Sequence, residues 1–242
     1  MKVLIVGGGP AGLTVAEYLS KKGFETLVFE EHSEIGVPDH CAGLIGYNGF
    51  KVLNISNNSI LNTVRGAYIY PPSGLSPVIV SKKGTAGVVV DRRILDKEFA
   101  ERAEKSGSKI LLNTRVIEVS TRKEYVKVKT SRNTFYTGDF LVIAEGYVRR
   151  ITRQLVNLDF RGSLPAIQLE VSGFKDFNRD YVELFLGRKW SPGLFAWIIP
   201  LNEEVVRIGL AAENKPLVRI KYLLKKHPAI KERASSIKVR KR

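Results

Sequence analysis

The chain has 242 residues and a formal net charge of +15 at pH 7, from 39 Lys and Arg against 24 Asp and Glu. Its 44% hydrophobic and 26% charged residues are ordinary for a globular protein and exclude an intrinsically disordered chain. The apolar run at 194–199 is far shorter than a membrane span. A single cysteine excludes an intrachain disulfide, so a reducing, cytoplasmic environment is expected.

The first 31 residues predict a strand, a glycine turn, a helix and a second strand that ends in acids. Gly7, Gly9 and Gly12 give the G-x-G-x-x-G spacing after a short apolar run, and Glu30 follows 18 residues after Gly12. The first glycine takes the tight bend, the second lets the backbone approach a pyrophosphate, and the third lets the helix lie close to the strand. A helix at about 11–22 would direct its free N–H groups at phosphates, and Glu30 would accept hydrogen bonds from ribose hydroxyls. The segment therefore predicts a dinucleotide site, and because its first residues already form a strand, no cleavable signal is expected.

The middle of the chain predicts a further α/β portion with a meander. Residues 34–62 are rich in Gly, Asn and Ser and are expected to be irregular. The expected elements that follow are β-rich pieces at 66–70, 77–80 and 87–90, a helix at 91–106, a parallel strand at 109–112, antiparallel strands at 116–120, 125–130 and 134–137, and a buried strand at 140–144.

The last third of the chain changes character. The β-rich segments 164–171, 181–186, 194–199 and 205–211 follow one another without helices between them, which indicates a second structural region from about residue 160. From residue 215 to the end there are 11 Lys or Arg and one acid, Glu232, a local net charge of +10. Apolar residues recur among these lysines at helical spacing, at Leu217, Val218, Ile220, Leu223 and Leu224. This pattern predicts a helix whose cationic face is either simply solvated or in contact with anionic lipid head groups. No nucleic-acid-binding motif accompanies the charge, so no nucleic acid partner is expected.

Four motifs in order resemble one group of flavoproteins. They are the glycine loop with Glu30, residues 35–43 (Ile-Gly-Val-Pro-Asp-His-Cys-Ala-Gly), residues 89–96 (Val-Val-Asp-Arg-Arg-Ile-Leu-Asp) and residues 141–146 (Leu-Val-Ile-Ala-Glu-Gly). Together they resemble the FAD-dependent oxidoreductases of the glutathione-reductase-like, hydroxybenzoate-hydroxylase-type group.

Two further stretches resemble the geranylgeranyl reductase family within that group. They are Pro38-x-x-Cys41-Ala-Gly43 and residues 192–200 (Pro-Gly-Leu-Phe-Ala-Trp-Ile-Ile-Pro). The family's P-x-x-Y-x-W-x-F-P stretch stands here with Phe195 for Tyr and Ile199 for Phe.

The resemblance implies an α/β fold class: a Rossmann-like FAD-binding domain with a three-stranded β-meander insertion, and a β-rich substrate domain. It implies an FAD-binding domain over 1–160, with 66–84 contributing strands to the substrate region, and an incomplete substrate domain over 161–242. It also implies an FAD-dependent oxidoreductase that reduces isoprenoid C=C bonds of a lipid or prenyl precursor.

The resemblance assigns roles to individual residues. Cys41 would be catalytic, as a proton donor to the alkene, although a lone cysteine can equally be an inert packing residue. Phe195, Trp197 and Pro200 would bind substrate on a sheet face that also includes Ile198 and Ile199, or would belong to an ordinary sheet core. Arg92 would lie near the cofactor, or would be a surface charge at a helix start. No metal site is expected. The cofactor-binding residues implied are Gly7, Gly9, Pro10, Ala11, Gly12, Glu30, Glu31, Cys41, Ala42, Gly43, Arg92, Val116, Glu145 and Gly146.

Two departures from the family pattern bear on activity. The family's Asp-Gly stands here as Glu145-Gly146, and no late Gly-Asp motif follows before the chain ends at Arg242. We therefore expect a shortened version of the family fold with an exposed sheet edge and uncovered apolar surface. A split gene, a truncated reading frame, or a fragment that needs a partner chain for the remaining part of the site would each account for it. Three functions stay open: a geranylgeranyl-type reductase, either free in the cytoplasm or peripheral to an anionic membrane; an FAD-dependent monooxygenase; and a non-catalytic remnant or subunit that supplies part of a flavin site.

Overall fold

The computed structural model describes residues 1–156 and 162–240. The expected domain boundary near residue 160 lies outside the described residues. The helices are α1 (Pro10–Lys21), α2 (Tyr47–Val52), α3 (Arg92–Lys105), α4 (Arg150–Leu155) and α5 (Pro216–Lys226). The strands of the first half are β1 (Lys2–Val6), β2 (Glu25–Phe29), β3 (Leu44–Gly46), β4 (Ile60–Val64), β5 (Gly66–Tyr70), β6 (Val78–Ser81), β7 (Gly87–Val90) and β8 (Lys109–Leu111). Those of the second half are β9 (Val116–Thr121), β10 (Val126–Thr130), β11 (Phe135–Gly138), β12 (Phe140–Ile143), β13 (Ala166–Ser172), β14 (Tyr181–Phe185), β15 (Ala196–Pro200), β16 (Val205–Ala211) and β17 (Lys238–Val239).

The described residues form two compact units. The first comprises Met1–Asp39 and the described part of 92–160, and the second comprises His40–Asp91 and the described part of 161–242. Each unit has its own sheets and its own buried clusters.

The first unit is built on a four-stranded parallel sheet with the order β12-β1-β2-β8. Its central strand β1 is apolar and almost fully buried, as a strand covered on both faces must be. The antiparallel strands β9, β10 and β11 form a separate meander, whose Val128 packs with Leu4 and Phe29 of the parallel sheet. The expected Rossmann-like βαβ start and three-stranded meander are therefore confirmed.

The second unit is built on a seven-stranded mixed sheet with the order β17-β13-β16-β15-β14-β5-β6. Helix α5 packs on this sheet, where Ile220 and Leu223 join Ile208 and Leu210 in a buried cluster. The four β-rich segments predicted after residue 160 are its strands β13 to β16, and the predicted basic amphipathic helix is α5. Among the residues the structure describes, no helix is long and apolar enough to cross a membrane.

Residues 40–65 and 85–91 belong to the second unit, whereas the sequence analysis assigned them to the first. The reason is strand pairing, since β3, β7 and β4 form their own three-stranded sheet. In this sheet Val64 packs in one buried cluster with Val182 and Ile199 of the seven-stranded sheet. The expectation that 34–62 is irregular is thus only partly right, because the stretch contains β3, α2 and part of β4.

Candidate functional site

A cavity of about 220 Å³ lies in the first unit, at the carboxyl ends of β1, β2 and β12. In open parallel α/β sheets this edge is where ligands bind. Seven of the expected site residues line the cavity: Gly7, Gly9, Glu30, Glu31, Val116, Glu145 and Gly146. The fold brings together at this cavity the residues that the glycine spacing predicted and those that the resemblance implied, up to 139 positions apart in the chain.

The glycine loop has the geometry that its spacing requires. Gly7 has φ = +108°, and a Cβ there would lie 2.4 Å from the carbonyl oxygen of Ala144. A Cβ on Gly12 would lie 2.0 Å from the carbonyl oxygen of Gly7, so helix α1 can lie this close to the loop only with glycine. A Cβ on Gly9 would meet no protein atom within 4 Å, so this backbone stays open for close approach by a ligand.

Helix α1 begins at Pro10 and has Gly9 as its N-cap, with no side-chain hydrogen bond to the cap. Proline suits the first helical position, where no N–H is needed. Pro10, Ala11 and Gly12 form the first turn, whose N–H groups and positive dipole end favour an anion.

Glu30 is buried and lies at the end of β2 beside the glycine loop. Its Oε2 accepts a hydrogen bond from the Gly8 N–H at 2.8 Å. Its Oε1 accepts one from the His32 N–H at 2.8 Å and contacts His32 Nδ1 at 2.6 Å. A carboxylate has about four lone-pair positions, so capacity remains for a hydroxyl donor such as a ribose. Beyond it, Glu31 pairs with Arg115 through Nε at 2.6 Å.

Glu145 binds the first turn of α4. Its Oε2 accepts a hydrogen bond from the Ile151 N–H at 2.9 Å, and its Oε1 accepts from the Thr152 N–H at 2.6 Å and hydroxyl at 2.7 Å. Burial alone would raise the pKa of Glu145, but these hydrogen bonds outweigh it and lower the pKa below the ordinary value of 4.5. The Glu145 carboxylate is therefore hydrogen-bonded to the backbone of α4, and these bonds hold the Glu145–Gly146 turn at the cavity.

Arg92 stands at the start of α3 and forms a two-pronged ion pair with Asp96 one turn later. Nε and Nη2 lie 2.9 and 2.8 Å from the two carboxylate oxygens. Burial raises the pKa of Asp96, and the Arg92 guanidinium offsets part of that rise. Arg92 does not line the cavity of the first unit.

The Cys41–Gly43 loop lies in the second unit, where Cys41 is partly buried. The Gly43 N–H lies 3.4 Å from Cys41 Sγ, within range of a weak hydrogen bond. Gln168 Nε2 donates to the Cys41 carbonyl at 3.2 Å, and Arg207 Nη1 donates to the Ala42 carbonyl at 2.9 Å. The structure therefore gives this loop a fixed shape.

The expected substrate residues lie on and beside β15. Trp197 packs flat against Gly209, since a Cβ there would be 2.5 Å from the indole ring, and Phe195 meets Trp197 edge to face at 6.3 Å. Ile198 and Ile199 are buried in separate clusters on opposite faces of the sheet, as alternation requires. Ile198 is therefore core, and the idea of a continuous apolar wall from 195 to 199 is wrong for that residue. Pro200 is also buried.

A second cavity of about 460 Å³ lies within the second unit. Small residues of β3, β5 and β7 line much of it, including Gly46, Gly66, Ala67 and Gly87, with Val182 from β14. Phe195, Trp197 and Pro200 do not line it. Its size and apolar lining are those of a small-ligand pocket.

Sequence reasoning missed several residues that complete these sites. His32, Thr114, Arg115 and Arg150 line the first cavity. Gln168 and Arg207 bond to the Cys41 loop, and Glu170 pairs with Arg207. A signal for the second group existed, because Arg207 is a charged residue within the otherwise apolar stretch 205–211. Among the described residues no group of His, Cys, Asp and Glu side chains could hold a metal ion.

The first cavity fits the adenosine and phosphate portion of a dinucleotide. It combines an open glycine backbone, a helix N-terminus and a buried carboxylate with free acceptor capacity. Beside it, the buried Val116 of β9 offers an apolar contact of the kind that a flat base requires.

Comparison with known proteins agrees with this assignment. Residues 5–38 match the family model of the NAD(P)-binding Rossmann-like domain. An uncharacterized protein of Methanocaldococcus jannaschii is 35% identical over 211 residues, which cover 86% of this chain and 53% of that protein. A digeranylgeranylglycerophospholipid reductase of Methanosarcina acetivorans is 28% identical over 221 residues, again 86% of this chain and 53% of that enzyme. The chain thus spans just over half the length of these two relatives.

Solved structures show the same fold. A geranylgeranyl bacteriochlorophyll reductase-like protein of Thermoplasma acidophilum matches 99% of this chain and 64% of its own with a TM-score of 0.87 and 24% identity. A halogenase solved with phloroglucinol and FAD matches with a TM-score of 0.76 and 16% identity, over 59% of its own chain. The expected fold class and the resemblance to the geranylgeranyl reductase family are therefore confirmed.

Proposed function

We propose that this chain, which resembles the geranylgeranyl reductases in sequence and fold, binds FAD and acts in the reduction of isoprenoid C=C bonds of a lipid. The observation that carries the proposal is the open backbone of Gly9 beside the buried Glu30, in a chain similar over 86% of its length to a digeranylgeranylglycerophospholipid reductase. The higher structural similarity to a reductase-like protein than to a halogenase favours reduction over the monooxygenase alternative.

The first unit would hold the nucleotide half of the cofactor. Glu30 would accept hydrogen bonds from the ribose, the N-terminus of α1 would face the pyrophosphate, and Val116 would lie against the adenine. Gly146, held in place by Glu145, would border the same ligand. Pro10, Ala11, Gly12, Glu31 and Arg92 would complete its surroundings in this unit. In the second unit, Cys41, Ala42 and Gly43 are the residues that the resemblance assigns to the cofactor.

Reduced FAD supplies the hydride when it is bound. Addition across an isolated C=C bond also needs a proton, and Cys41 Sγ–H would donate it to the carbon that does not receive the hydride. An isolated alkene is a poor hydride acceptor. The isoprenoid must therefore be held in place against the cofactor, with water excluded from the site. Phe195 and Trp197 would contact the isoprenoid, Pro200 would support that strand, and the apolar cavity of the second unit would take a further part of the chain.

The exposed face of helix α5 suits contact with a membrane surface. Helix α5 buries Ile220 and Leu223 but leaves Leu217 52% and Val218 61% exposed, next to the exposed Lys221. An apolar and cationic surface suits the anionic head groups of a bilayer that contains a lipid substrate. We propose a cytoplasmic protein that binds the membrane surface through α5.

A second candidate is a subunit that supplies part of a flavin site to a partner chain. Among the residues that the structure describes, β12 is an edge strand of the parallel sheet and its carboxyl end borders the cavity, which favours this candidate. An unpaired strand edge can accept a strand from another polypeptide.

Flavin binding is the first test. The 242-residue chain is incubated with FAD and passed through a gel-filtration column, with Gly9→Val as the matched variant. We expect flavin absorbance to co-elute with the unmodified chain and not with Gly9→Val. Failure of the unmodified chain to retain flavin would contradict the first candidate, and retention only after a second polypeptide is added would favour the second.

Reduction is the second test. The flavin-loaded protein, reduced chemically, is given a digeranylgeranylglycerol lipid in vesicles, and mass spectrometry measures the gain of two hydrogens per double bond. If the protein binds flavin but the lipid gains no hydrogen, the proposed reduction of isoprenoid C=C bonds is wrong and only flavin binding stands.

A further inference from the structure

We propose that Gln168 and Arg207 are positioning residues that fix the loop Cys41–Gly43 and thereby the place of the Cys41 thiol. The consequence for reduction rests on the proposed function, in which Cys41 donates a proton. The positioning itself rests only on contacts within the second unit, and no motif of the sequence analysis included either residue.

Three consecutive carbonyl groups of this loop each accept a hydrogen bond. Gln168 Nε2 donates to Cys41 O at 3.2 Å, Arg207 Nη1 donates to Ala42 O at 2.9 Å, and the Val90 N–H donates to Gly43 O at 2.8 Å. Each peptide plane of the turn is thus held from outside the turn. A loop held at every carbonyl has little freedom to move its side chain.

Arg207 is the strongest of these anchors. It is fully buried, and its Nε donates to Glu170 Oε1 at 2.8 Å, from the residue directly opposite on β13. Nη1 also donates to Val90 O at 3.1 Å, so one guanidinium joins the loop to the end of β7. Burying a charged pair is costly unless each group is well bonded, and the planar fork of Arg allows it to reach the ion partner and both carbonyls together.

The loop is shaped to receive this side chain. Gly43 has φ = +71°, and a Cβ there would lie 2.4 Å from Arg207 Nη1 and 2.5 Å from the Val90 carbonyl oxygen. Glycine at 43 therefore leaves the space that the guanidinium fills.

Gln168 connects the loop to the expected substrate surface. The Trp197 indole Nε1–H donates to Gln168 Oε1 at 3.2 Å, while Nε2 of the same amide donates to Cys41 O. The indole bond fixes which end of the amide faces the loop, so a change at Trp197 is passed to the Cys41 backbone through one side chain.

The test measures alkylation of the only thiol in the chain, which makes the signal unambiguous. Iodoacetamide rate constants are measured over a range of pH for the unmodified chain, Gln168→Glu, Trp197→Phe and Arg207→Lys, and the limiting rate constants of the ionised thiolate are compared, because a carboxylate at position 168 also disfavours the thiolate. Gln168→Glu keeps the acceptor for the indole but loses the donor to Cys41 O. We expect its rate constant to rise by about threefold to tenfold, the range that one lost hydrogen bond allows. Trp197→Phe should raise it less.

The matched control is Gln154→Glu, because Gln154 Nε2 also donates to a backbone carbonyl, that of Ile117 at 2.9 Å, but in the first unit. Its rate constant should stay within about twofold of the unmodified chain. Equal rate constants for Gln168→Glu and Gln154→Glu would overturn the proposal. If Arg207→Lys does not fold, the comparison of Gln168→Glu with Gln154→Glu still tests whether Gln168 positions the Cys41 loop.

In the lipid-reduction assay Gln168→Glu should lower kcat and leave KM unchanged, since it shifts the proton donor and not the binding surface. Absence of reductase activity in every form would contradict the proposed function and leave the alkylation result standing. The two proposals therefore fail in distinguishable ways.

Discussion

The carboxylate of Glu30 accepts a hydrogen bond from the backbone N–H of Gly8, with 2.8 Å between Oε2 and N. The sequence analysis gave Glu30 one role, as an acceptor for ribose hydroxyls. The structure adds a second, because the same side chain closes the glycine loop against the end of β2. Loop shape and nucleotide binding therefore depend on one carboxylate.

Replacing Glu30 by Gln should weaken FAD binding by about tenfold or more, because a charge-assisted acceptor is lost and the amide can present a donor to the Gly8 N–H. Isothermal titration with FAD measures the change. The matched control is Glu31→Gln, since Glu31 lines the same cavity but pairs with the exposed Arg115. An equal loss in both variants would mean that general charge, rather than the position of Glu30, governs affinity.

Gly9→Val should abolish FAD binding and leave the fold intact. The Gly9 backbone, with φ = −80° and ψ = 177°, is open to any residue, and a Cβ there meets no protein atom within 4 Å. Gly12→Val should instead destabilise the protein strongly, because its Cβ would lie 2.0 Å from the Gly7 carbonyl oxygen. Thermal unfolding beside flavin titration separates the two effects. A destabilised Gly9→Val would show that the loop is packed by protein rather than open to ligand.

Glu145→Gln should lower the stability of the first unit by about 1–2 kcal/mol at pH 7, because charge-assisted hydrogen bonds to the Ile151 and Thr152 N–H groups are lost. The pKa of Glu145 is lowered in the folded protein, so its contribution is present above the unfolded value of 4.5 and is lost as the pH falls through the folded pKa. The difference between the variant and the unmodified chain should therefore shrink below pH 4.5. Urea unfolding measures it, with the exposed Glu118→Gln as control. A difference that persists at low pH would contradict the role of the ionised carboxylate.

The local parts of the fold could be predicted from the sequence. Short apolar runs, the glycine spacing and the acid after β2 specify β1, α1 and Glu30 because they act over a few residues. The resemblance implied that 66–84 contributes strands to the substrate region, but no local signal gives the pairing of β5 with β14 that joins Gly66 to Tyr181. The same holds for the hydrogen bond from Gln168 to Cys41, which spans 127 positions. Residues that act through such contacts become visible only in the structure.

Replacing Leu217 and Val218 by Asp should release the chain from anionic vesicles. Both side chains are more than half exposed on α5, so the change removes apolar contact and positive potential at little cost to the core. Sedimentation with phosphatidylglycerol vesicles measures binding, and Val52→Asp, at a site on α2 that is 84% exposed, is the control. Equal binding of all three forms would contradict membrane contact through α5, and an equal loss in both variants would assign the affinity to net charge.

His227 should make the protein less stable as the pH falls from about 6.5 to about 4. The side chain is fully buried between the rings of Phe185 at 4.8 Å and Trp190 at 4.6 Å, and its Nδ1 accepts the Ala229 N–H at 3.2 Å. Burial, with a smaller contribution from Lys189, lowers its pKa from 6.5 to about 4.

Between about pH 4 and pH 6.5, His227 therefore binds a proton in the unfolded chain but not in the folded chain. The contribution of the neutral His227 to the free energy of unfolding is fully present above about pH 6.5. It falls by about 3 kcal/mol by the time the pH reaches the folded pKa. Urea unfolding of the unmodified chain and of His227→Phe at pH 7.5 and pH 4.5 tests this, with the exposed His40→Phe as the matched control. The free energy of unfolding should depend less on pH in His227→Phe than in the other two forms, because only that variant removes the buried imidazole. The same pH dependence in all three would show that carboxylates, and not His227, govern acid unfolding.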